Sequence, residues 1–162
     1  MTEPMFAALS GPADVPDLGP DEISFTARGI PVPQGALVRS PSGGLYNRGG
    51  SRLEVWRGGI RDAASREMGS REPMAGPVSV RLVLMFPRLT AHFRTGRHRD
   101  ELRPDAPSVM ATVPDVDKCA RSCLDALSGV AFRDDRQVSR LVVEKQYGDV
   151  PGVFVSVAEM AP

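Results

Sequence analysis

The most informative segment of this 162-residue chain reads PDVDKCARSCLDALSGVAFRDDRQVSRLVVEKQY and extends from Pro114 to Tyr147. Gly129, inside it, stands where the C-terminal cap of a helix belongs. The run from Val138 to Tyr147, rich in Val and Leu, predicts a β-strand. Before the glycine, apolar side chains recur at i, i+3, i+4 and i+7, which predicts an amphipathic helix; they are Ala120, Cys123, Leu124 and Leu127.

Two acidic pairs flank the predicted helix. Asp115 and Asp117 precede it, and Asp134 and Asp135 follow it in the turn that enters the strand. Alternate side chains of an extended segment project to the same side, so Asp115 and Asp117 could grip one ion together. We expect the short return after the helix to bring the second pair back beside the first. Oxygen ligands alone suit a hard cation such as Mg²⁺, which leaves coordination positions for phosphate oxygens, so the pattern predicts a metal site for phosphate esters.

These residues resemble the signature of the RusA family of Holliday junction resolvases. Spacing and residue type agree in three elements, which are Pro114-Asp115-Val116-Asp117-Lys118, Leu124-Asp125-Ala126-Leu127-Ser128-Gly129 and Arg133-Asp134-Asp135-Arg136-Gln137-Val138. The specific part covers about residues 112–148. A weaker similarity extends to the flanking strands, from about Ile23 to the end of the chain.

The resemblance implies the roles of the four acids. Asp115 and Asp117 fall on the family's two metal-binding aspartates, and Asp135 falls on its third catalytic aspartate. Asp134 is the candidate for a fourth metal-binding carboxylate. Taken without the rest of the motif, an Asp-x-Asp element also fits helix capping.

Two basic residues are candidates for the positively charged catalytic side chain. The family has a functional lysine one turn after the Asp-x-Asp element, and this chain departs from the family by placing Arg121 there. An arginine can clamp a phosphate but will not transfer a proton. Lys118 is close by and is the other candidate. Asp125 follows Arg121 at i+4 and is interpreted as its surface partner.

The same resemblance implies that the chain is a Mg²⁺-dependent, structure-selective endonuclease, with Mn²⁺ as a substitute metal. It would resolve four-way DNA junctions by phosphodiester hydrolysis in recombination and repair. A C₂ homodimer with two sites would match the two equivalent strands of the junction. Two other functions stay open: a catalytically silent junction-binding protein, and a transferase that uses Asp-x-Asp and a metal to hold a sugar-nucleotide diphosphate. The lack of a Gly-rich phosphate loop disfavours the transferase.

The net charge of zero hides an uneven distribution. Five of the 20 acidic residues and none of the 20 Lys and Arg residues lie in the first 22 positions, so the remainder carries a net charge of +5. We expect residues 1–22 to be a disordered acidic leader and residues 23–160 to form a single endonuclease domain. The leader has no basic start and no continuous apolar run, so it does not read as a signal peptide. The chain also has no apolar run long enough to span a membrane. Its two cysteines lie only four residues apart and make poor disulfide partners, so nothing indicates an oxidising compartment and we expect a cytoplasmic protein.

Basic residues cluster in two places that we expect to contact DNA phosphates. The first is the Gly/Ser-rich stretch from Ser40 to Ser51 and its flanks, with Arg39, Arg48, Arg52 and Arg57. The second is a long loop ahead of the acidic motif, and its arginines, together with Lys145 of the predicted strand, are the predicted DNA contacts: Arg88, Arg94, Arg97, Arg99 and Arg103. The alternative is that both are solvated loops. His92 and His98 share the second loop and are expected to contact phosphate or to have no role.

The remaining pattern predicts an α+β fold with a small mixed sheet and one or two helices packed on it. Predicted strands lie at Ile23–Phe25, Ala36–Val38, Val78–Phe86 and Val153–Val157, and a helix interrupted by Gly58-Gly59 is predicted at Trp56–Met68. Cys119 and Cys123 stand at i, i+4 without a third ligand nearby, so they are expected to pack in the core as free thiols.

Overall fold

The computed structural model describes residues 22–35, 37–47 and 50–161. Two α-helices and six strands make up its regular structure, together with short 3₁₀ turns. In chain order these are β1 (Ile23–Arg28), β2 (Leu37–Arg39), β3 (Leu45–Asn47), α1 (Gly50–Met68), β4 (Val78–Phe86), α2 (Val116–Leu127), β5 (Val138–Tyr147) and β6 (Gly152–Glu159). The predicted α+β fold class is confirmed.

Four strands form one mixed sheet in the order β1-β6-β4-β5. β4 and β5 run parallel, whereas β6 runs antiparallel to both β1 and β4. Parallel neighbours need a long crossover, and here the crossover contains α2. β4 is buried along almost its whole length, which explains its nearly unbroken apolar sequence. β2 and β3 form a separate two-stranded sheet.

The two helices pack on each other and on the sheet. The Trp56 indole Nε1 donates to Ser122 Oγ at 3.2 Å in the buried interface between α1 and α2. Beside it, the Arg57 guanidinium donates both to Asp125 of α2 and, at 2.6 Å, to Gln34 Oε1. The core under the helices is apolar, and its largest fully buried side chains include Phe132, Ile23, Leu53, Ile60, Leu82, Leu84 and Leu127.

α1 is longer than the sequence predicts. It begins at Gly50 rather than Trp56, and Gly58 and Gly59 do not interrupt it. A glycine inside a helix costs about 1 kcal/mol relative to alanine, and this cost is offset because α1 buries one of its faces against α2 and β1. Packing therefore overrides the local preference.

The other strand predictions differ from the structure mainly at their ends. β4 and β5 have the predicted bounds, whereas β1 and β6 extend farther than the predicted Ile23–Phe25 and Val153–Val157. The pairing of β1 with β6 over six residues extends β1 to Arg28 and starts β6 at Gly152, and the pairing of β6 with β4 extends β6 to Glu159. Residues 1–21 of the predicted leader and Arg48 of the first basic cluster lie outside the described residues. No helix in the described ranges is long and apolar enough to cross a membrane.

Candidate active site

The first acidic pair lies at the N-terminus of α2. Asp115 is the N-cap residue, with an extended backbone (φ −65°, ψ 136°), and Asp117 lies in the first helical turn. The prediction that both acids share an extended segment is wrong, because the helix already begins at Val116. Both residues are exposed. They lie at a helix end whose unpaired backbone N–H groups favour negative charge.

Lys118 neutralises part of this charge. Its Nζ donates to Asp115 Oδ2 at 2.6 Å. This bond holds the pKa of the Asp115 carboxyl below its ordinary value, and it raises the pKa of the Lys118 ammonium. Asp115 is therefore an anion and Lys118 a cation at neutral pH. Lys118, like the two acids, is exposed and can reach a ligand.

Lys145 of β5 reaches the N-terminus of α2 from the sheet. It stands opposite Leu84 in the β4–β5 pairing. Its Nζ donates to the carbonyl oxygens of Thr112 at 2.7 Å and Pro114 at 2.8 Å, directly before Asp115. After the bond from Lys118, the charge of Lys145 also contributes to the lowered pKa of Asp115. Two of the three donors of this ammonium are thus engaged by main-chain carbonyls.

The second acidic pair lies in a tight capped turn before β5. The Asp134 side chain accepts from the Arg136 backbone N–H at 3.0 Å, and the Asp134 N–H donates to Gln137 Oε1 at 2.8 Å. Asp135 is exposed and opens the 3₁₀ turn Asp135–Gln137. This capping box fixes the backbone at the start of β5. The capping box engages the Asp134 carboxylate, whereas the Asp135 carboxylate makes no hydrogen bond with any described residue.

The two acidic pairs lie at opposite ends of α2 within one chain. The 12 residues of this helix span about 18 Å. β5 also separates the two pairs. Lys145 of this strand lies beside Asp115, whereas Val138, seven residues or about 23 Å away along the strand, lies beside Asp135. The expectation that the chain brings the pairs together by itself is wrong: the return after α2 leads into a strand antiparallel to the helix. Accordingly, no group of three or more His, Cys, Asp or Glu side chains in the described part of the chain could hold a metal ion.

Arg121 and Asp125 do not form the expected pair. Asp125 instead binds Arg57 of α1, whose side chain is 15% exposed. Arg121 is exposed and forms no ion pair with any described residue. It follows Asp117 by one helical turn and so lies on the same side of α2. The guanidinium of Arg121 is thus available to a ligand that approaches the first acidic pair.

The long basic loop between β4 and α2 is partly neutralised by its own acids. Arg94 pairs with Glu101, and Arg103 pairs with Asp105, each at 3.0 Å. Arg97 donates to His98 at 3.2 Å and, like Arg99, forms no ion pair within the described ranges. Of the five predicted arginine contacts, Arg97 and Arg99 are therefore the best placed to bind phosphate.

The base of this loop packs on the end of β5. The Arg88 guanidinium lies 4.7 Å from the centre of the Tyr147 ring, and the His92 ring meets Tyr147 edge to face at 5.1 Å. His98 bonds Glu101 at 2.8 Å. Arg88 and His92 thus attach the loop to Tyr147. Sequence reasoning placed Arg88 among the DNA contacts and expected His92 to contact phosphate or to have no role, and it did not anticipate this packing.

Cys119 and Cys123 are buried free thiols. Burial raises the pKa of Cys119 to about 11 and that of Cys123 to about 12. Both thiols are therefore protonated at neutral pH and lack the thiolate character of a reactive cysteine. The prediction that they pack in the core is confirmed.

Sequence reasoning missed the contacts that cross between elements. The carbonyl bonds of Lys145, the Arg57–Asp125 pair and the packing of Arg88 on Tyr147 join residues between 31 and 68 positions apart. No local spacing encodes such contacts.

Comparison with known proteins assigns this arrangement to a family. The family described as endodeoxyribonuclease RusA matches residues 39–158, which include both acidic pairs, α2 and Lys145. The chain belongs to the RusA family. It is also 30% identical over 147 residues to the uncharacterised protein YqaN of Bacillus subtilis (strain 168), a match that covers 87% of this chain and 99% of YqaN.

Membership of the RusA family gives the general activity of the chain. RusA proteins are nucleases that resolve Holliday junctions, and they generally depend on a divalent metal. The resemblance read from the acidic motif is therefore confirmed at the level of the family.

Proposed function

We propose that this RusA-family chain is a Mg²⁺-dependent endonuclease that cuts four-way DNA junctions in recombination and repair, with Mn²⁺ as a substitute metal. The observation that carries the proposal is the exposed group of Asp115, Asp117 and Lys118 at the N-terminus of α2. It combines oxygen ligands for a hard cation with an ammonium for phosphate. The group lies beside a basic loop that suits the DNA backbone.

The side chains present fit a divalent metal as half of a site. Asp115 and Asp117 offer carboxylate oxygens only, and both are exposed. Exposed carboxylates at one helix end suit Mg²⁺, which takes one or two protein carboxylates and keeps the rest of its shell for water and phosphate. Asp135, and Asp134 if its capping bond is released, would supply the other half.

A second copy of the chain would complete the site. The two pairs lie at opposite ends of α2 and of β5, so a two-fold related copy whose β5 runs antiparallel would place its Asp134 and Asp135 near Asp115 and Asp117. β5 is an edge strand of the sheet, with no neighbour on its outer side in the described chain, and such edges readily pair with another chain. A two-fold axis would also create two equal sites, which match the two strands cut in a junction.

The residues of the chain would have three different roles in this reaction. Asp115, Asp117, Asp134 and Asp135 would hold the metal, which when bound supplies Lewis-acid activation of water and neutralises the departing oxygen. Lys118 and Arg121 would neutralise charge on the phosphoryl oxygens. Arg97 and Arg99 would hold the DNA backbone near the site.

Cleavage of a synthetic four-way junction tests this function. Wild-type protein is incubated with the junction or with a duplex of the same sequence, in Mg²⁺, Mn²⁺ or EDTA. We expect paired cuts in the junction with either metal, and none in EDTA or in the duplex. Tight junction binding without cuts in either metal would instead identify a silent junction-binding protein.

Arg121 should contribute a fixed positive charge rather than a proton. We expect Arg121→Lys to retain most of the single-turnover cleavage rate at saturating Mg²⁺, whereas Arg121→Ala loses about 100-fold. The Arg121 guanidinium forms no ion pair with an acidic side chain among the described residues, so its charge is available to the phosphate. A near-wild-type rate for the alanine variant would remove Arg121 from the site and leave Lys118 as the catalytic cation.

Arg97 and Arg99 should contribute most of the electrostatic binding by the loop. Replacing both with alanine is expected to lower the slope of log K against log salt by about 1.8, because each lost phosphate contact on duplex DNA lowers it by about 0.9. The measurement is junction affinity across a salt series in EDTA. The matched control removes two exposed arginines of α1, Arg61 and Arg66, and should leave the slope unchanged. Equal slopes for both double variants would assign the loop to another task.

A further inference from the structure

The backbone that leads into Asp115 has few attachments of its own. After the Ala106 N–H, which donates to Arg103 O, the next backbone–backbone hydrogen bond along the described chain begins at Asp115 O, which accepts from the Cys119 N–H. The segment 107–114 between them contains no helix or strand. Main-chain bonds therefore do not fix where Asp115 enters α2.

Side chains hold this segment instead, at three points. Arg88 donates to Pro107 O at 2.8 Å, and Met110 is buried in the core with 7% of its surface exposed. The third point is nearest to Asp115 and consists of the two Lys145 bonds to the carbonyls of Thr112 and Pro114. A charged donor to two carbonyl acceptors makes stronger hydrogen bonds than a neutral donor.

Lys145 is itself held by the sheet. β5 pairs with β4 over its full length, and Lys145 lies opposite the fully buried Leu84. Its backbone position is therefore fixed by the pairing of β5 with the central strand β4. The ammonium transfers that position to the main chain before Asp115.

We propose that Lys145 is a positioning residue, which fixes the Thr112–Pro114 main chain and so sets the Asp115 carboxylate for a divalent cation. The proposal rests on the proposed metal-dependent function and adds a residue to it. It replaces the predicted role of Lys145 as a DNA contact, because its ammonium is directed at carbonyls of its own chain.

The sign of the effect separates positioning from charge alone. A nearby positive charge repels a divalent cation, so removing the Lys145 charge would tighten metal binding if charge were its sole contribution. Loss of positioning has the opposite effect. Groups that orient metal ligands contribute about 10–100-fold in metal affinity. The expected result of Lys145→Met is thus weaker metal binding, despite the removal of a repulsive charge.

The test is Mn²⁺ binding by the full chain without DNA, followed by electron paramagnetic resonance. We expect Lys145→Met to weaken Mn²⁺ binding about 10–100-fold, and Lys145→Arg to stay within about threefold of wild type, because its guanidinium can reach the same carbonyls. Arg140→Met is the matched control, since it removes an exposed charge from the same strand and should not weaken Mn²⁺ binding. Hydrogen exchange at the amides of 111–113 and 115–117 should be faster in Lys145→Met than in Arg140→Met.

Two outcomes would overturn the proposal. One is Lys145→Met binding Mn²⁺ as tightly as wild type or more tightly. The other is loss of junction affinity in EDTA with unchanged Mn²⁺ binding, which would restore Lys145 as a DNA contact. If Lys145→Met does not melt cooperatively, Lys145→Gln takes its place with the same expectations. A wild-type chain that binds Mn²⁺ but cuts no junction would refute the proposed function alone, whereas the exchange rates would still decide the role of Lys145.

Discussion

Asp117→Asn is expected to abolish junction cleavage and to spare junction binding. The substitution removes a carboxylate from the first turn of α2 and leaves the basic loop untouched. Mutation of a group that only orients a metal ligand typically lowers metal affinity or activity about 10–100-fold. Removal of a ligand itself should therefore lower the cleavage rate by more than about 100-fold. Binding should hold or tighten slightly, because one negative charge near the phosphates is removed. The two measurements are single-turnover cleavage in Mg²⁺ and a gel shift in EDTA.

Asp62→Asn is the matched control for this prediction. Asp62 is exposed on α1 and forms no ion pair with any described residue, and its substitution makes the same change of charge. It should leave cleavage and binding near wild type. Equal losses of cutting and binding in Asp117→Asn would contradict the separation of metal binding from DNA binding.

Mixed dimers of Asp117→Asn and Asp135→Asn should recover cleavage that neither variant has alone. If each site combines the first acidic pair of one copy with the second pair of the other, a mixed dimer has one doubly damaged site and one intact site. Differently tagged chains are co-expressed and the mixed dimer is isolated on both tags. It should nick one strand of the junction at about half the wild-type rate per dimer, without paired cuts.

A site confined to one chain predicts the reverse result. Each half of the mixed dimer would then carry one damaged site, and no nicking would return. The two parental homodimers serve as controls and should both be inactive. A chain that is monomeric at assay concentrations would also contradict the shared site, since a single copy keeps its acidic pairs at opposite ends of α2.

Local sequence was enough for the elements around the site. The period of the apolar positions predicts α2, because a helix of 3.6 residues per turn must keep one face on the core. Gly129 predicts its end, and the residue has the positive φ of 81° that a glycine cap adopts. β4 and β5 follow from runs of β-branched and aliphatic residues. The same motif was specific enough to indicate the RusA family, which the match over residues 39–158 confirms.

Residue types and spacings of a few residues were enough to identify the available carboxylates, the helix that separates them and the family of the chain. The tertiary structure alone decided where those groups lie. The chain returns from α2 into a strand antiparallel to the helix, so the acidic pairs are held apart rather than together. It also decided that Asp125 binds Arg57 rather than Arg121, and that Lys145 binds the main chain before Asp115. The physical reason is that such contacts depend on how the sheet and helices pack, and packing joins residues whose separation along the chain has no periodic signal.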